Sequence, residues 1–555
     1  MKRTLLALAA LLAAPAPAQT LFANANGIQA AADGSITSFQ GLLVDDDGRV
    51  LRLVRADEPR PAATRVIDLN GRTVLPGLID AHGHVMGIGL AAIQLDLVGT
   101  RSLDDLKTRL RDYAARHPDA AWIGGRGWNQ EMWPDKRFPT AADLDAVVGD
   151  RPVVLERVDG HAIVVNSAAL RAAGVTAATT DPSGGKIERD ADGRPTGLLV
   201  DAASALVSDK VPAPSDAQMD EALAKTQQAL LSVGITAAAD MGTDPAGWAA
   251  FRRAGDAGRL DIRIIAYALD MDNLRKLAPN GPTDWLYADR LRLGGVKLYG
   301  DGALGSRGAW LKQPYADKPD TRGLQFLQDA ELLAKADEAA KAGIQVAVHA
   351  IGDAANAQAI AAFETLARAH GGDRRWRIEH FQVADPADIA RLKPAGIIAS
   401  MQPTHQTSDR TMAEARLGPD RLGGAYAWRS VLRSGARLAL GSDFPVESPN
   451  PFPGLSAAIS RQDLNGQPPG GWIPAERLTL GEALRGFTRD AAYAGFAEQR
   501  IGALEPGKWA DFIIVDRDPT QVDAQALGRT QVVETWVAGR KVWERPASVV
   551  PERGK

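Results

Sequence analysis

The chain has 555 residues, 45% hydrophobic and 24% charged, the balance of a soluble globular protein too long for one simple compact domain. Lys and Arg number 64 against 68 Asp and Glu, a formal net charge of -4, which with no long basic run argues against nucleic acid as a partner. There are no cysteines, so disulfides, thiolate metal sites and a cysteine nucleophile are excluded, and a metal would have to be held by the 8 histidines and by oxygen donors.

The first residues read as a secretory signal. Lys2 and Arg3 make a basic start, residues 4–14 are apolar but too few to span a bilayer, and Ala16-Pro17-Ala18 has the small-x-small form of a cleavage site. Cleavage is expected after Ala18, which makes residues 1–18 a signal and the mature protein periplasmic or secreted, with no stable membrane anchor. Residues 19–73 read as β-structure with tight turns. Residues 42–44 and 50–54 flank Asp46-Asp47-Gly48, and residues 66–69 and 73–75 flank Asn70-Gly71; both patterns predict hairpins.

Residues 74–84 follow as an apolar, buried strand that ends in His82-Gly83-His84. Two histidines two residues apart leave a strand on the same face, and Gly83 lets another group approach the backbone between them. That pair suits a zinc-type metal only if the rest of the chain supplies further ligands. From about residue 90 to 215 regular alternation stops and Trp, Gly and Pro become frequent, the signature of a large insertion. Beyond it, strands are predicted at 235–240, 262–269, 291–300, 344–349, 376–380, 396–401 and 437–440, spaced by helices such as 217–231, 329–342 and 354–369. With the opening strand this makes about eight βα units, an α/β chain that reads as a distorted (β/α)8 TIM barrel over residues 74–498. The C-terminal part, 499–555, returns to strands at 510–515, 532–536 and 540–543, the last two flanking Ala538-Gly539. The two β-rich ends are expected to meet in one small β-sandwich domain.

Active sites of such barrels lie at the C-terminal ends of the strands. The first predicted strand ends at His82 and His84, the fourth carries Lys297, and the fifth, sixth and eighth end at His349, His380 and Asp443. Four histidines and an acid, spread over four strand tips, would converge on one mouth.

At this point the chain resembles the amidohydrolase superfamily, and more narrowly its amidohydrolase-3 branch of YtcJ-like and N-substituted formamide deformylase-like proteins. The residues that carry the resemblance are Pro76-Gly77-Leu78-Ile79-Asp80-Ala81-His82-Gly83-His84, Val296-Lys297-Leu298-Tyr299-Gly300-Asp301-Gly302, His349-Ala350-Ile351-Gly352-Asp353, Ile378-Glu379-His380 and Gly441-Ser442-Asp443-Phe444-Pro445-Val446. Within the insertion, Gly127-Trp128-Asn129, Asp159-Gly160-His161 and Gly193-Arg194-Pro195-Thr196-Gly197 match the branch too. The resemblance implies one or two divalent metals per chain, usually Zn2+. His82, His84 and Asp443 would bind the more buried one, His349 and His380 a second, and Lys297 would bridge them as a carbamate if carboxylated.

The chemistry follows from such ligands. A bound divalent metal lowers the pKa of its water to roughly 7 and polarises a carbonyl. Asp443 would act as base to the water and then as acid to the leaving nitrogen. The expected reaction is hydrolysis of a non-peptide C–N bond, an amide, N-acyl or N-formyl group, on a small-molecule substrate. Ester or lactone hydrolysis, or a non-hydrolytic step, is the alternative on the same barrel, and a non-catalytic binding protein a third. His405 is expected at the mouth, on substrate or an oxyanion, and His161, Trp128, Ser306 and Arg307 as substrate-binding, with core packing the alternative for Trp128 and an ion pair for Arg307. Asp80 is expected either to orient a ligand imidazole or to be a buried structural acid. A homo-oligomer is left open.

Overall fold

A computed structural model describes residues 19–546. Residues 1–18, where a signal is expected, and the last residues, 547–555, lie outside the described residues.

Eight parallel strands pair in sequence order, which is what βαβ units dictate. They are β1 (Leu78–Gly83), β2 (Ile235–Thr243), β3 (Arg263–Leu269), β4 (Leu291–Tyr299), β5 (Gln345–Ala350), β6 (Trp376–His380), β7 (Ile397–Met401) and β8 (Arg437–Leu440). The sheet is drawn shut beyond the tip of β8. Gly83 forms a parallel bridge with Phe444, and Asp443 N and His84 N donate to His82 O and Phe444 O, each at 2.7 Å. A Cβ on Gly83 would stand 2.3 Å from the Phe444 ring, so the close approach expected at this glycine is made by Phe444. Asp80 completes the seam: it accepts from His82 N at 3.0 Å and from Ser442 Oγ at 2.6 Å, and burial pushes its carboxyl up to about 7. Its contacts are with backbone and Ser442, which fits the structural acid of the two readings given above.

Small and medium side chains fill the lumen below the site, among them Ile79, Ala81, Ala237, Ala239, Ala347 and Ala439, and larger aliphatic residues of the alternate face pack under the surrounding helices.

The two ends of the chain share one eight-stranded mixed sheet. Thr73–Pro76 pairs with Phe512–Val515 antiparallel, and Phe22, Phe512 and Trp536 meet in its core with ring centroids 4.9–5.3 Å apart. The 42–44/50–54 and 532–536/540–543 hairpins form as expected. The Asn70-Gly71 hairpin does not. Arg65–Asp68 and Thr73–Pro76 both run parallel to Thr20–Ala30, end to end. The first strand bulges between Ala23 and Gly27, and the left-handed Asn70 and Gly71 jog the chain around that bulge, Gly71 N donating to Asn24 O at 2.7 Å. An Asn-Gly pair supplies two positive φ values, and here they shift the chain instead of reversing it.

The insertion is an α/β layer of its own. Its six-stranded sheet includes Leu95–Asp96, Ile123–Trp128 and Val153–Arg157 in parallel, then Ala162–Val165, Pro195–Asp201 and Gly185–Arg189 in antiparallel order. Its strands are short and its glycines dense, so their periodicity does not show in the sequence. Gly197 at φ 94 is one case where only glycine fits, since a Cβ would lie 2.5 Å from Val165 O.

Candidate metal centre

His82, His380 and Asp443 are buried and offer ligand atoms within 4.8 Å of one another, at the open ends of β1, β6 and β8. Two of the three are placed by backbone the strand ends would not adopt unaided. His380 and Asp443 have φ of 75° and 62°, left-handed values that non-glycine residues take only where the surroundings enforce them.

The ring of His82 is oriented from behind. Its Nδ1 lies 2.6 Å from Glu379 Oε2, and a carboxylate can only accept, so Nδ1 carries the proton and Nε2 presents a lone pair to the mouth. Glu379 is clamped in turn by Arg377, at 2.7 and 3.1 Å. Burial alone would raise Glu379, but the Arg377 charge and the His82 hydrogen bond outweigh it and hold the carboxyl well below its usual range. His82 itself is pushed down to about 4, by burial first and then by the Lys297 charge, so it stays neutral and able to ligate. His380 has its Nδ1 3.0 Å from Gln402 Oε1.

Asp443 stands at the centre. Its Oδ1 is 3.2 Å from His84 Nε2 and 3.4 Å from His82 Nε2, and its Oδ2 is 3.7 Å from His405 Nε2. Burial would raise it, yet His82 and His84 more than compensate and keep it ionised. Lys297 is buried with Nζ 3.3 Å from His82 Nε2 and 4.9 Å from the Tyr299 ring centroid, and burial lowers it to about 8. The rings of His349 and His380 are 4.6 Å apart, as are those of His380 and His82, so His380, expected with His349 at a second metal, stands between His349 and His82.

Three buried atoms in this cluster make no hydrogen bond: Asp443 Oδ1, His405 Nε2 and His349 Nε2. Buried polar atoms are rarely left so, because each unsatisfied group costs about 1–3 kcal/mol. Neutral imidazoles and an ionised carboxylate gathered around one point form a nitrogen and oxygen donor set that fits a divalent cation. His82, His380 and Asp443 would hold it, with His84, His349 and Lys297 alongside.

Around this centre the sequence expectations divide. His405 lies in the first turn of the helix Pro403–Leu417, after β7, with Nδ1 2.9 Å from Gln382 Nε2 and Nε2 facing Asp443. His161 is carried in from the insertion until its ring is 5.9 Å from that of His349. Trp128 corrects its expectation. It is fully buried in the insertion core beside Trp133, and its Nε1 donates to Leu155 O at 2.8 Å, because its strand faces the insertion's own helices. Ser306 turns its hydroxyl to Ala303 O at 3.3 Å, and Arg307 forms an ion pair with Asp317 at 2.9 Å, so the Arg307 guanidinium is engaged within its own loop. Glu379, Arg377 and Gln402 were not singled out from the sequence. Two opposite charges alternating in an otherwise apolar strand, Arg377-Ile378-Glu379, are the signal that was there to read.

The comparisons with known proteins agree with this site. The model of the amidohydrolase family matches residues 65–543. The chain is 36% identical to Protein LONG AFTER FAR-RED 3 of Arabidopsis thaliana, over 86% of this chain and 84% of the relative. It is 29% identical to the N-substituted formamide deformylase of Arthrobacter pascens, over 92% of this chain and 96% of that enzyme. The crystal structure of an uncharacterized metal-dependent hydrolase from Pyrococcus horikoshii superposes with a TM-score of 0.75 at 27% identity, covering 91% of this chain and 99% of that one. A match over most of the length, together with a buried His-His-Asp cluster at the barrel mouth, places the chain in the amidohydrolase family as a metal-dependent hydrolase.

Proposed function

We propose that the protein hydrolyses a non-peptide C–N bond, an amide of the N-acyl or N-formyl kind, in a small molecule. The observation that carries this is the convergence of buried His82, His380 and Asp443 with unpaired polar atoms facing them. The formamide deformylase among the relatives supports the bond class. Bound at this site, a divalent cation, Zn2+ by the donor set, supplies Lewis acidity that acidifies water and polarises a carbonyl. Asp443, kept ionised, takes the proton from the attacking water at a carboxylate oxygen and returns it to the leaving nitrogen, which departs poorly unless protonated. His405, with Nε2 turned to Asp443, is placed to hold the substrate oxygen or to steady that carboxylate. Glu379 fixes the tautomer of His82, and Arg377 fixes Glu379.

Lys297 is read as carboxylated. Its amine, lowered to about 8, is partly neutral at physiological pH; the nitrogen adds to CO2, a proton leaves, and the resulting carbamate is an anionic oxygen ligand where an ammonium could not ligate. Export to the periplasm or medium is part of the same proposal, supported by the signal-like residues 1–18.

The test has two arms. Purified protein is expected to hold at least about one divalent metal per chain, by the chemistry of its donor set; far less would end the hydrolase reading. N-acyl amino acids, formamides, dipeptides and lactones are then screened for released amine or acid. Amine release from an amide supports the proposal, and turnover of lactones or esters alone replaces it with an esterase.

A further inference from the structure

The insertion brings one histidine to the mouth with a partner of its own. His161 follows the turn Arg157–Gly160, whose first residue, Arg157, is anchored to Gln130 and Asn129 at 2.9 and 3.2 Å. His161 Nδ1 lies 2.7 Å from Asp201 Oδ1, and its ring is 5.9 Å from the His349 ring. Asp201 is held in place from both sides. Its N donates to His161 O at 2.9 Å, and its backbone takes φ 49° and ψ -125°, a conformation a non-glycine residue adopts only under constraint. Its side chain is 3% exposed, and Oδ2 is buried without a hydrogen-bond partner. An aspartate strained and buried to face one imidazole does what second carboxylates do for catalytic and metal-bound histidines: it fixes the tautomer and aims the other nitrogen. That other nitrogen, Nε2, makes no hydrogen bond among the described residues, and the side chain is 18% exposed.

We propose that His161 contacts the substrate through Nε2 and that Asp201 is its positioning residue, so that the insertion supplies part of the reaction centre. The inference rests on the mouth being the site of hydrolysis. The group bound is one that hydrogen-bonds an imidazole beside the metal cluster, the amide oxygen or the nitrogen that leaves. Its partly charged environment fits this: burial would lower His161, but Asp201, Asp159 and Asp443 raise it above its ordinary value.

The test uses the metal-loaded full chain with N-benzylformamide as substrate probe and acetohydroxamate as binding probe, on His161→Gln, Asp201→Asn and the double variant. His161→Gln is expected to lower kcat/KM on the order of 10²-fold, and Asp201→Asn about 10-fold to 100-fold, mainly in kcat. The double variant should be no worse than His161→Gln, because the two residues act as one unit. Metal content should be unchanged throughout. Ring nitrogen NMR, with the His161 signal assigned by its loss in His161→Gln, should show Nδ1 protonated in the wild type and that bias lost in Asp201→Asn. An additive double variant, an unaltered kcat/KM in His161→Gln, or identical ring spectra overturns the proposal. If the wild type turns over no amide, the hydrolase reading is what has failed, and acetohydroxamate then decides: binding about 10-fold weaker in His161→Gln upholds the contact, and an equal Kd overturns it.

Discussion

Both ends of the barrel bury charge, and they treat it in opposite ways. At the base, Arg263 meets Asp511 through two N–H groups at 2.6 and 2.9 Å, with its remaining nitrogen on the carbonyls of Ala288 and Asp289. Arg375 meets Glu498 in the same forked way at 2.9 and 2.8 Å. These pairs tie the starts of barrel strands to segments that follow β8, and the planar fork satisfies the guanidinium as burial requires. At the mouth, Asp443, His405 and His349 each keep a buried atom without a hydrogen bond. Burial alone therefore does not mark the functional end. Three such atoms gathered beside the His82, His380 and Asp443 cluster do, in agreement with the general division of such barrels into a stabilising base and a reactive mouth.

That division can be broken by experiment. The largest effects belong to the mouth: His82→Ala should strip the metal and the activity together, by elemental analysis and amine release. Asp443→Asn should largely keep the metal while turnover falls by at least about 10²-fold. At the base, Arg263→Ala leaves Asp511 buried without its cation, with only the Ala538 N–H at 2.8 Å as partner among the described residues, and should cost about 3–5 kcal/mol in a denaturant titration, with metal content and turnover per folded molecule unchanged. Metal loss in that variant would dissolve the division. Glu379→Gln sits between the two ends, since Glu379 is paired by Arg377 yet orients His82; metal affinity should weaken about 10-fold to 100-fold in competition with a chelator. Gly83→Ala drives a methyl toward Phe444 and should lower thermal stability by about 1–3 kcal/mol.

The smallest effect is a pH dependence at the base. The Glu498 carboxyl is half-buried; burial would raise it, but the Arg375 hydrogen bonds hold it below its ordinary 4.5. A depressed acid stabilises the fold at pH above 4.5 and loses that increment as pH falls through its lower folded value. Glu498→Gln should thus be less stable at neutral pH by about 1 kcal/mol or less, given its exposure, and the gap should close in acid. A gap that widened in acid would reverse the sign.

Much of this architecture was readable along the chain. The β2 to β8 strands fall within a few residues of their expected bounds, because each is an apolar run bounded by an amphipathic helix, a pattern set by local periodicity. His82, His380 and Asp443 were readable for a related reason: a strand end in a barrel is a known address. Trp128 was not, since an aromatic on an inserted strand has the same local signature whether it lines a pocket or a core, and only the insertion's helices decide. The Asn70-Gly71 jog failed likewise, because the bulge it follows lies some 45 residues earlier in the chain.

What the amino-acid order determined by itself is the succession of strands and helices and the residue at each strand tip, properties of neighbours along the chain. Tertiary structure alone decided what those tips lack and what reaches them: Glu379 behind His82, Asp201 behind His161, the unpaired atoms around Asp443. Hydrogen bonding and desolvation act between groups that the fold brings together from positions up to hundreds of residues apart, and no local pattern encodes those distances.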